Sequence, residues 1–193
     1  MRKSALAAAV MCIGIMAGGS AAAEQWNDPA GRVSFDAPRG WVVEVRRANP
    51  DTIVIAGNAD NECFVLAVPN SGTRSASAAR VIAGNTAPLS NSAWSALANA
   101  ATPVFPEGNA RVVSQSVDTS GLWPVQRAEL SGAARPVTAL MVSRPGIEIT
   151  ALCWTYGGPD ATATYEAFFR SLSHPNDAEW AAAAQAAQPA PAQ

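Results

Sequence analysis

The first half of the chain alternates between apolar and polar residues with a period of two, which is typical of β-strands. Turn residues such as Pro38-Arg39-Gly40 interrupt this pattern and predict short connections. The predicted strands cover residues 33–36, 41–46, 52–57 and 63–68. The last of them, Cys63–Val68, is apolar at every position. A strand that is apolar on both sides must be covered on both sides, so it predicts a sheet between two other layers.

The middle of the chain changes to a helical spacing of small and apolar residues. Gly84 and Pro88 divide this stretch into two predicted helices, and Ser90 or Asn91 is the expected cap of the second. Strand patterns then return four times, separated by short turns, over residues 111–118, 125–131, 136–144 and 146–155. Their spacing predicts an antiparallel meander.

The C-terminal part contains one strong helical pattern followed by a biased tail. The helix is predicted to begin at Asp160, and its apolar side consists of Tyr165, Phe168, Phe169 and Leu172. Beyond residue 173 the chain is mainly Ala, Gln and Pro, which leaves little apolar surface to bury. We therefore predict one α+β domain over residues 24–173 and a disordered or partly helical tail over residues 174–193.

This order of elements resembles the PsbP-like superfamily. Two segments carry the resemblance: Val33-Ser34-Phe35-Asp36-Ala37-Pro38-Arg39-Gly40-Trp41, with its Phe-x-x-Pro-x-Gly-Trp motif, and Tyr165–Ser173. The resemblance implies an antiparallel sheet with helices on both faces, an α/β/α sandwich, which agrees with the doubly apolar strands. It also implies an accessory or binding role without a shared catalytic motif, so it assigns no catalytic residue.

The first 23 residues have the features of a secretory signal in a bacterial protein. Arg2-Lys3 gives a positive start, Ala5–Met16 is apolar, and small residues precede the expected cleavage site near Ala23. The apolar run is shorter than the roughly 20 residues that a membrane anchor requires. The sequence thus predicts a signal peptide over residues 1–23 and a mature chain without a membrane span, located in the periplasm or secreted.

Composition restricts the classes of function. Hydrophobic residues make up 49% of the 193 residues and charged residues 15%, which favours a globular core over a disordered chain. Removal of Arg2 and Lys3 with the signal takes the formal net charge from −2 to −4. A negatively charged domain is unsuited to the phosphate backbone, so we expect no nucleic-acid partner.

The cysteines indicate a disulfide. Cys12 lies inside the predicted signal, so Cys63 and Cys153 remain in the mature chain. An even number of cysteines in an oxidising compartment favours a disulfide between these two residues. The alternative is two separate buried thiols, because both residues lie in apolar strand patterns where free cysteine packs well. Neither belongs to a Cys-x-x-Cys pair, so redox catalysis has little support.

Side chains that usually carry catalysis are scarce. His174 is the only histidine and lies at a predicted helix end, where a capping role is favourable. Lys3 is the only lysine and leaves with the signal. One compact oxygen-rich cluster is formed by Asn58, Asp60, Asn61 and Glu62. A polar hairpin turn explains that cluster better than a calcium loop does. We therefore predict no catalytic residue, no metal site and no cofactor.

Two charged residues and two aromatic residues near turns are candidates for a contact surface: Trp123, Arg127, Glu129 and Tyr156. Arg127 and Glu129 share one side of a predicted strand with Val125. That side forms either a cross-strand ion pair of little energetic weight or one wall of a groove.

The leading functional hypothesis is an exported, non-catalytic accessory or binding domain of the bacterial envelope. Its partner would be an unidentified envelope protein or a small ligand. One alternative is a small periplasmic hydrolase that uses carboxylates such as Asp60 and Glu62. Another is a carrier of an apolar ligand held between sheet and helix. Turnover of generic substrates would favour the hydrolase, and co-purified lipid would favour the carrier.

Overall fold

The computed structural model describes residues 23–100, 104–105, 109–132, 135–157 and 161–187. Within these residues the strands are β1 (Glu24–Asn27), β2 (Ser34–Ala37), β3 (Val42–Arg47), β4 (Thr52–Gly57), β5 (Asn61–Pro69), β6 (Arg111–Asp118), β7 (Val125–Ser131), β8 (Val137–Arg144) and β9 (Ile147–Thr155). The helices are α1 (Ala78–Gly84), α2 (Asn91–Ala100), α3 (Thr162–Ser171) and α4 (Asp177–Ala186). The predicted signal, apart from Ala23, and the predicted helix start at Asp160 lie outside the described residues.

Seven of the strands form one antiparallel sheet in the order β3-β4-β5-β9-β8-β7-β6. It consists of two meanders, β3–β5 and β6–β9, which meet where β5 pairs with β9. The meander predicted for the second half of the chain is confirmed. β1 and β2 form a separate two-stranded sheet, and β1 was not among the predicted strands.

A disulfide joins the two meanders at their junction. Cys63 on β5 and Cys153 on β9 lie directly opposite each other in the strand register, with a Cα–Cα distance of 4.1 Å. Both side chains are fully buried. The predicted disulfide is thus present, and it crosslinks the longest-range pairing of the sheet.

Local signals explain the helix boundaries. Ser77 precedes α1 and its side chain accepts a hydrogen bond from the backbone N–H of Arg80. Ser90 does the same for α2, because its Oγ accepts the backbone N–H of Ala93 at 3.2 Å. None of the helices in the described part of the chain has the length and apolar character that crossing a membrane requires.

Buried apolar side chains form two clusters, and β5 contributes to both. Cys63 and Val65 belong to the first core, together with Phe168 of α3. Phe64 belongs to the second core, together with Trp94 of α2. Successive residues of a strand point to opposite faces, so the doubly apolar pattern of β5 serves two separate packing surfaces.

The segment after residue 173 is more helical and more closely packed than its composition indicates. α4 packs against α1, and its Ala184 is buried. The carboxylate of Asp177 in α4 forms an ion pair with Arg144 of β8, whose side chain is only 4% exposed. This partner lies 33 residues earlier in the chain, so local composition gave no sign of it. Residues 188–193 lie outside the described residues.

Candidate functional site

The charged residues of β7 lie on one side of their strand, as the alternation predicts. Ala128 and Leu130 point into the second core, whereas Arg127 and Glu129 point away from it. Arg127 donates from Nη1 to Oε1 of Glu166 on α3 rather than pairing with Glu129. The Arg127 guanidinium therefore connects the sheet to α3.

These charges line a polar hollow on the surface of the sheet with a volume of about 160 Å³. Its lining consists of Ser114, Gln115, Ser116, Arg127, Ala128, Glu129, Thr138 and Glu166. Three neighbouring strands and one helix thus supply hydroxyl, amide, carboxylate and guanidinium groups to one open surface. Such a set can form hydrogen bonds with a polar ligand or a partner's backbone.

Burial raises the pKa of the Glu129 carboxyl above its usual range, because desolvation disfavours the charged form. A hydrogen bond from Thr138 Oγ1 to Glu129 Oε2, at 3.2 Å, opposes this shift. The nearby carboxylate of Glu166 adds a further rise. The hollow therefore holds two acidic side chains, and the carboxyl of Glu129 is the one whose pKa is raised.

A second, more apolar hollow of about 320 Å³ lies beside the first. Its lining consists of Asp118, Ser120, Gly121, Leu122, Trp123, Val125, Arg127, Leu140, Val142, Arg144, Phe169, Arg170 and Leu172. Arg127 lines both hollows. A hydrogen bond from the Ser120 side chain, followed by that from its backbone N–H, lowers the pKa of Asp118 and keeps this rim carboxylate ionised.

Trp123 belongs to a side-chain cluster that holds α4, which we call the α4 clasp. The clasp consists of Trp123, Arg144, His174, Asp177 and Trp180. The Arg144 guanidinium lies 4.2 Å from the centroid of the Trp123 ring, and its Nε and Nη2 donate to the two carboxylate oxygens of Asp177. Trp180 contacts Trp123 edge-on at 6.4 Å, and His174 stacks on Trp180 at 4.4 Å. Trp123 is therefore both a packing residue and part of a hollow.

His174 holds the turn between α3 and α4 rather than capping α3, which ends at Ser171. Its Nδ1 accepts the backbone N–H of Asn176 at 3.0 Å, so this nitrogen must be unprotonated. Burial lowers the pKa of the imidazole from its usual 6.5, the Asp177 carboxylate raises it, and the Arg144 guanidinium lowers it. The neutral form is thus favoured in the folded chain.

Acidification is expected to destabilise the native chain through His174. Because the folded-state pKa is below 6.5, the unfolded chain binds more protons as the pH falls through that value, and this part of the stability is lost below it. We expect a His174→Gln variant, which keeps an acceptor without titrating, to lose less stability than the native chain between pH 7.5 and pH 5. Melting temperatures over that range test this. Parallel pH profiles of the two proteins would contradict it.

Tyr156 lies apart from the other three predicted contact residues. Its hydroxyl donates to Glu62 Oε2 at 3.0 Å, and the Arg135 guanidinium lies 4.5 Å from its ring centroid. Its ring also contacts Trp154, which belongs to the second core. The structure thus brings Trp123, Arg127 and Glu129 to adjoining hollows and leaves Tyr156 at the end of β9.

The oxygen-rich cluster between β4 and β5 forms a turn. Asn58 Oδ1 accepts the backbone N–H groups of Asp60 and Asn61, both at 2.9 Å. The Asn61 side chain in turn accepts the hydroxyl of Tyr165. Among the residues that the structure describes, no group of three or more His, Cys, Asp or Glu side chains is arranged to hold a metal ion.

Sequence reasoning missed Glu166, Arg144 and Asp177 as members of these surfaces. One feature of the sequence could have indicated a charged contact at Glu166, namely its spacing of four residues from Arg170. In the structure, Arg170 Nη1 lies 4.0 Å from Glu166 Oε2. No local feature of the sequence indicated the role of Arg144, because this residue ends an apolar strand and its carboxylate partner comes from α4.

Comparison with solved structures shows the fold. The chain is similar to cyanobacterial PsbP (CyanoP) from Synechocystis sp. PCC 6803, with a TM-score of 0.54 and 14% sequence identity, covering 86% of this chain and 98% of that one. The chain therefore has a PsbP-like fold. A protein from Bacteroides thetaiotaomicron matches at a TM-score of 0.43 and 12% identity, over 81% of this chain and 50% of that one. No protein-family model matches the chain, and no curated protein matches it in sequence.

Proposed function

We propose that this chain is an exported, non-catalytic binding domain of the bacterial envelope, and that it contacts its partner through the two adjoining hollows beside β7. The observation that carries the proposal is the pair of hollows itself. An apolar surface and a polar, charged surface adjoin at Arg127 and are open to solvent. Protein contact sites commonly combine an apolar centre with a polar rim.

The charged groups of the polar hollow are held in position, which supports the binding proposal. Arg127 is held by Glu166, and Glu129 is hydrogen-bonded to Thr138, so these groups are positioned before a partner arrives. Prepositioned side chains lower the entropic cost of association. Arg170, whose side chain is 68% exposed, adds a cation at the rim that can steer a negatively charged partner.

We also infer an α/β/α arrangement, with helices on both faces of the sheet. The alternation of β5 residues between the first core and the second core supports it, because the first includes Phe168 of α3 and the second includes Trp94 of α2. In this arrangement α3 forms one wall of the polar hollow through Glu166.

Site-specific photocrosslinking in intact cells tests the binding role. A photoreactive residue replaces Ser116, which is exposed and lines the polar hollow, and a matched control replaces Arg39 in the exposed turn before β3. We expect a discrete crosslinked product from position 116 that position 39 does not give. We also expect Arg170→Glu to reduce its yield several-fold, because the variant reverses the rim charge.

Identical product patterns at positions 116 and 39, or no product at position 116, would contradict the binding surface. Cell fractionation of the same strains tests export, since the proposal requires the crosslinked protein in the periplasmic or secreted fraction.

A carboxylate hydrolase is the second candidate, and the structure favours a different pair of acids from the one considered in the sequence. Glu129 and Glu166 line the same hollow, and the pKa of Glu129 is raised by burial, as a general acid requires. Asp60 and Glu62 instead belong to the β4–β5 turn region, where Glu62 accepts the Tyr156 hydroxyl. Reproducible hydrolytic turnover that Glu129→Gln abolishes would establish this activity and replace the non-catalytic proposal.

A further inference from the structure

We propose that the surface formed by Trp123 and Arg144 is a docking site for an acidic, tryptophan-bearing helix of a partner protein, and that α4 occupies this site within the same chain. The proposal rests on the binding role above and adds the chemical class of partner. It also makes α4 an internal competitor that must leave before the partner helix docks.

Arg144 provides a carboxylate-binding subsite. Its Nε donates to Asp177 Oδ1 at 2.6 Å and its Nη2 donates to Asp177 Oδ2 at 3.0 Å, which is the two-pronged geometry that guanidinium and carboxylate groups favour. Its Nη1 donates to the backbone oxygen of Ser143, and the Trp123 ring packs against the guanidinium plane. With a side chain only 4% exposed, Arg144 requires an anionic partner, because a buried cation without one is strongly destabilising.

Trp123 provides an aromatic subsite next to it. The indole of Trp180 meets the Trp123 ring edge-on, an arrangement that aromatic pairs prefer. Asp177 and Trp180 are three residues apart on α4, so they lie on the same side of the helix. The matching ligand is therefore a helix with the pattern Asp-x-x-Trp, which fills both subsites at once.

α4 buries little of its own surface for a helix that satisfies a buried cation. Ala184 is the only buried residue among those of α4, and most of the others are exposed. α4 is kept in place by the clasp, by its contact with α1 and by its covalent connection to α3. A short tether gives α4 an effective concentration at its own site on the order of millimolar. A partner helix can displace α4 if additional contacts compensate for this advantage. The apolar hollow, which Trp123 and Arg144 also line, provides room for such contacts.

A peptide-binding experiment on the full chain tests the proposal. The peptide covers residues 174–187 and carries a fluorophore, and the receptor is the full chain with Asp177→Ala and Trp180→Ala, which vacates both subsites. We expect this variant to bind the peptide at least tenfold more tightly than the native chain, because the native site is already filled by α4. Arg144→Met in the variant background, and Asp177→Asn in the peptide, should each abolish the difference.

Thermal unfolding verifies that each receptor is folded. If the double variant does not fold, Asp177→Asn with Trp180→Ala replaces it, because asparagine leaves Arg144 a neutral acceptor and still removes the carboxylate. A folded receptor that binds the peptide no better than the native chain overturns the proposal. A concentration-dependent dimer of the native chain that the peptide dissociates, measured by light scattering, assigns the site to α4 of a second copy and overturns the assignment to a partner protein. Neither result depends on crosslinking at position 116. The peptide experiment therefore distinguishes failure of the docking site for α4 from failure of the hollows as a binding surface.

Discussion

Loss of the Cys63–Cys153 disulfide is expected to lower the free energy of unfolding by about 4 to 5 kcal/mol. The bond closes a loop with a sequence separation of 90 residues, and the chain-entropy model gives this magnitude for a loop of that length. It acts mainly by restricting the unfolded chain, so the double variant should keep the native fold. Urea unfolding of the oxidised native chain and of a Cys63→Ala, Cys153→Ala variant measures the difference.

Alanine is preferable to serine in this test because both cysteines are fully buried, and a serine hydroxyl would add the cost of an unpaired buried polar group. The reduced native chain is the matched control, since it loses the bond and keeps both sulfur atoms in the core. Its stability should lie close to that of the double variant. A reduced chain as stable as the oxidised chain would contradict the expected role of the disulfide.

Phe168→Ala is expected to lower the free energy of unfolding by about 3 to 5 kcal/mol, the range for emptying a large aromatic site in a core. Phe168 is 1% exposed and lies at the centre of an aromatic cluster in the first core. Its ring centroid is 5.1 Å from that of Phe35 and 5.6 Å from that of Trp41. The substitution therefore removes the aromatic contacts between α3 and the Phe-x-x-Pro-x-Gly-Trp segment.

Phe168→Leu is the control for this prediction. Leucine keeps most of the apolar volume and should cost about 1 to 1.5 kcal/mol. Urea unfolding with equal m-values for the three proteins makes the comparison valid, because equal m-values indicate equal surface exposed on unfolding. Equal losses for the alanine and leucine variants would show that ring geometry, rather than filled volume, determines the stability at this position.

The periodicity of the sequence determined most of the secondary structure. The alternation over residues 52–57 and 125–131 coincides with β4 and β7, and the helical spacing around Phe168 coincides with α3. It also assigned Arg127 and Glu129 to one side of β7, because side-chain direction in a strand follows from local backbone geometry alone. The short strand β1 was missed, since its sequence Glu-Gln-Trp-Asn contains one apolar residue and therefore no alternation.

The tertiary structure alone decided which of these residues meet. The pairing of β5 with β9 places Cys63 opposite Cys153, and the sequence indicated that pair only through the even number of cysteines and the predicted compartment. Arg127 was expected to pair across the strand or to line a groove, and its partner is Glu166 of α3. Such choices depend on how whole elements pack, which no local pattern encodes.

The same distinction applies to the C-terminal segment. Its composition predicted a disordered or partly helical tail, whereas α4 is a ten-residue helix that buries only Ala184 among its own residues. Its position was decided by Arg144, a cation buried at the end of β8 that must have an anionic partner, and by the Trp123 ring against which Trp180 packs. Local sequence thus determined what each element is, and long-range complementarity of charge and shape determined where it lies, because the energies that fix position arise between residues far apart in the chain.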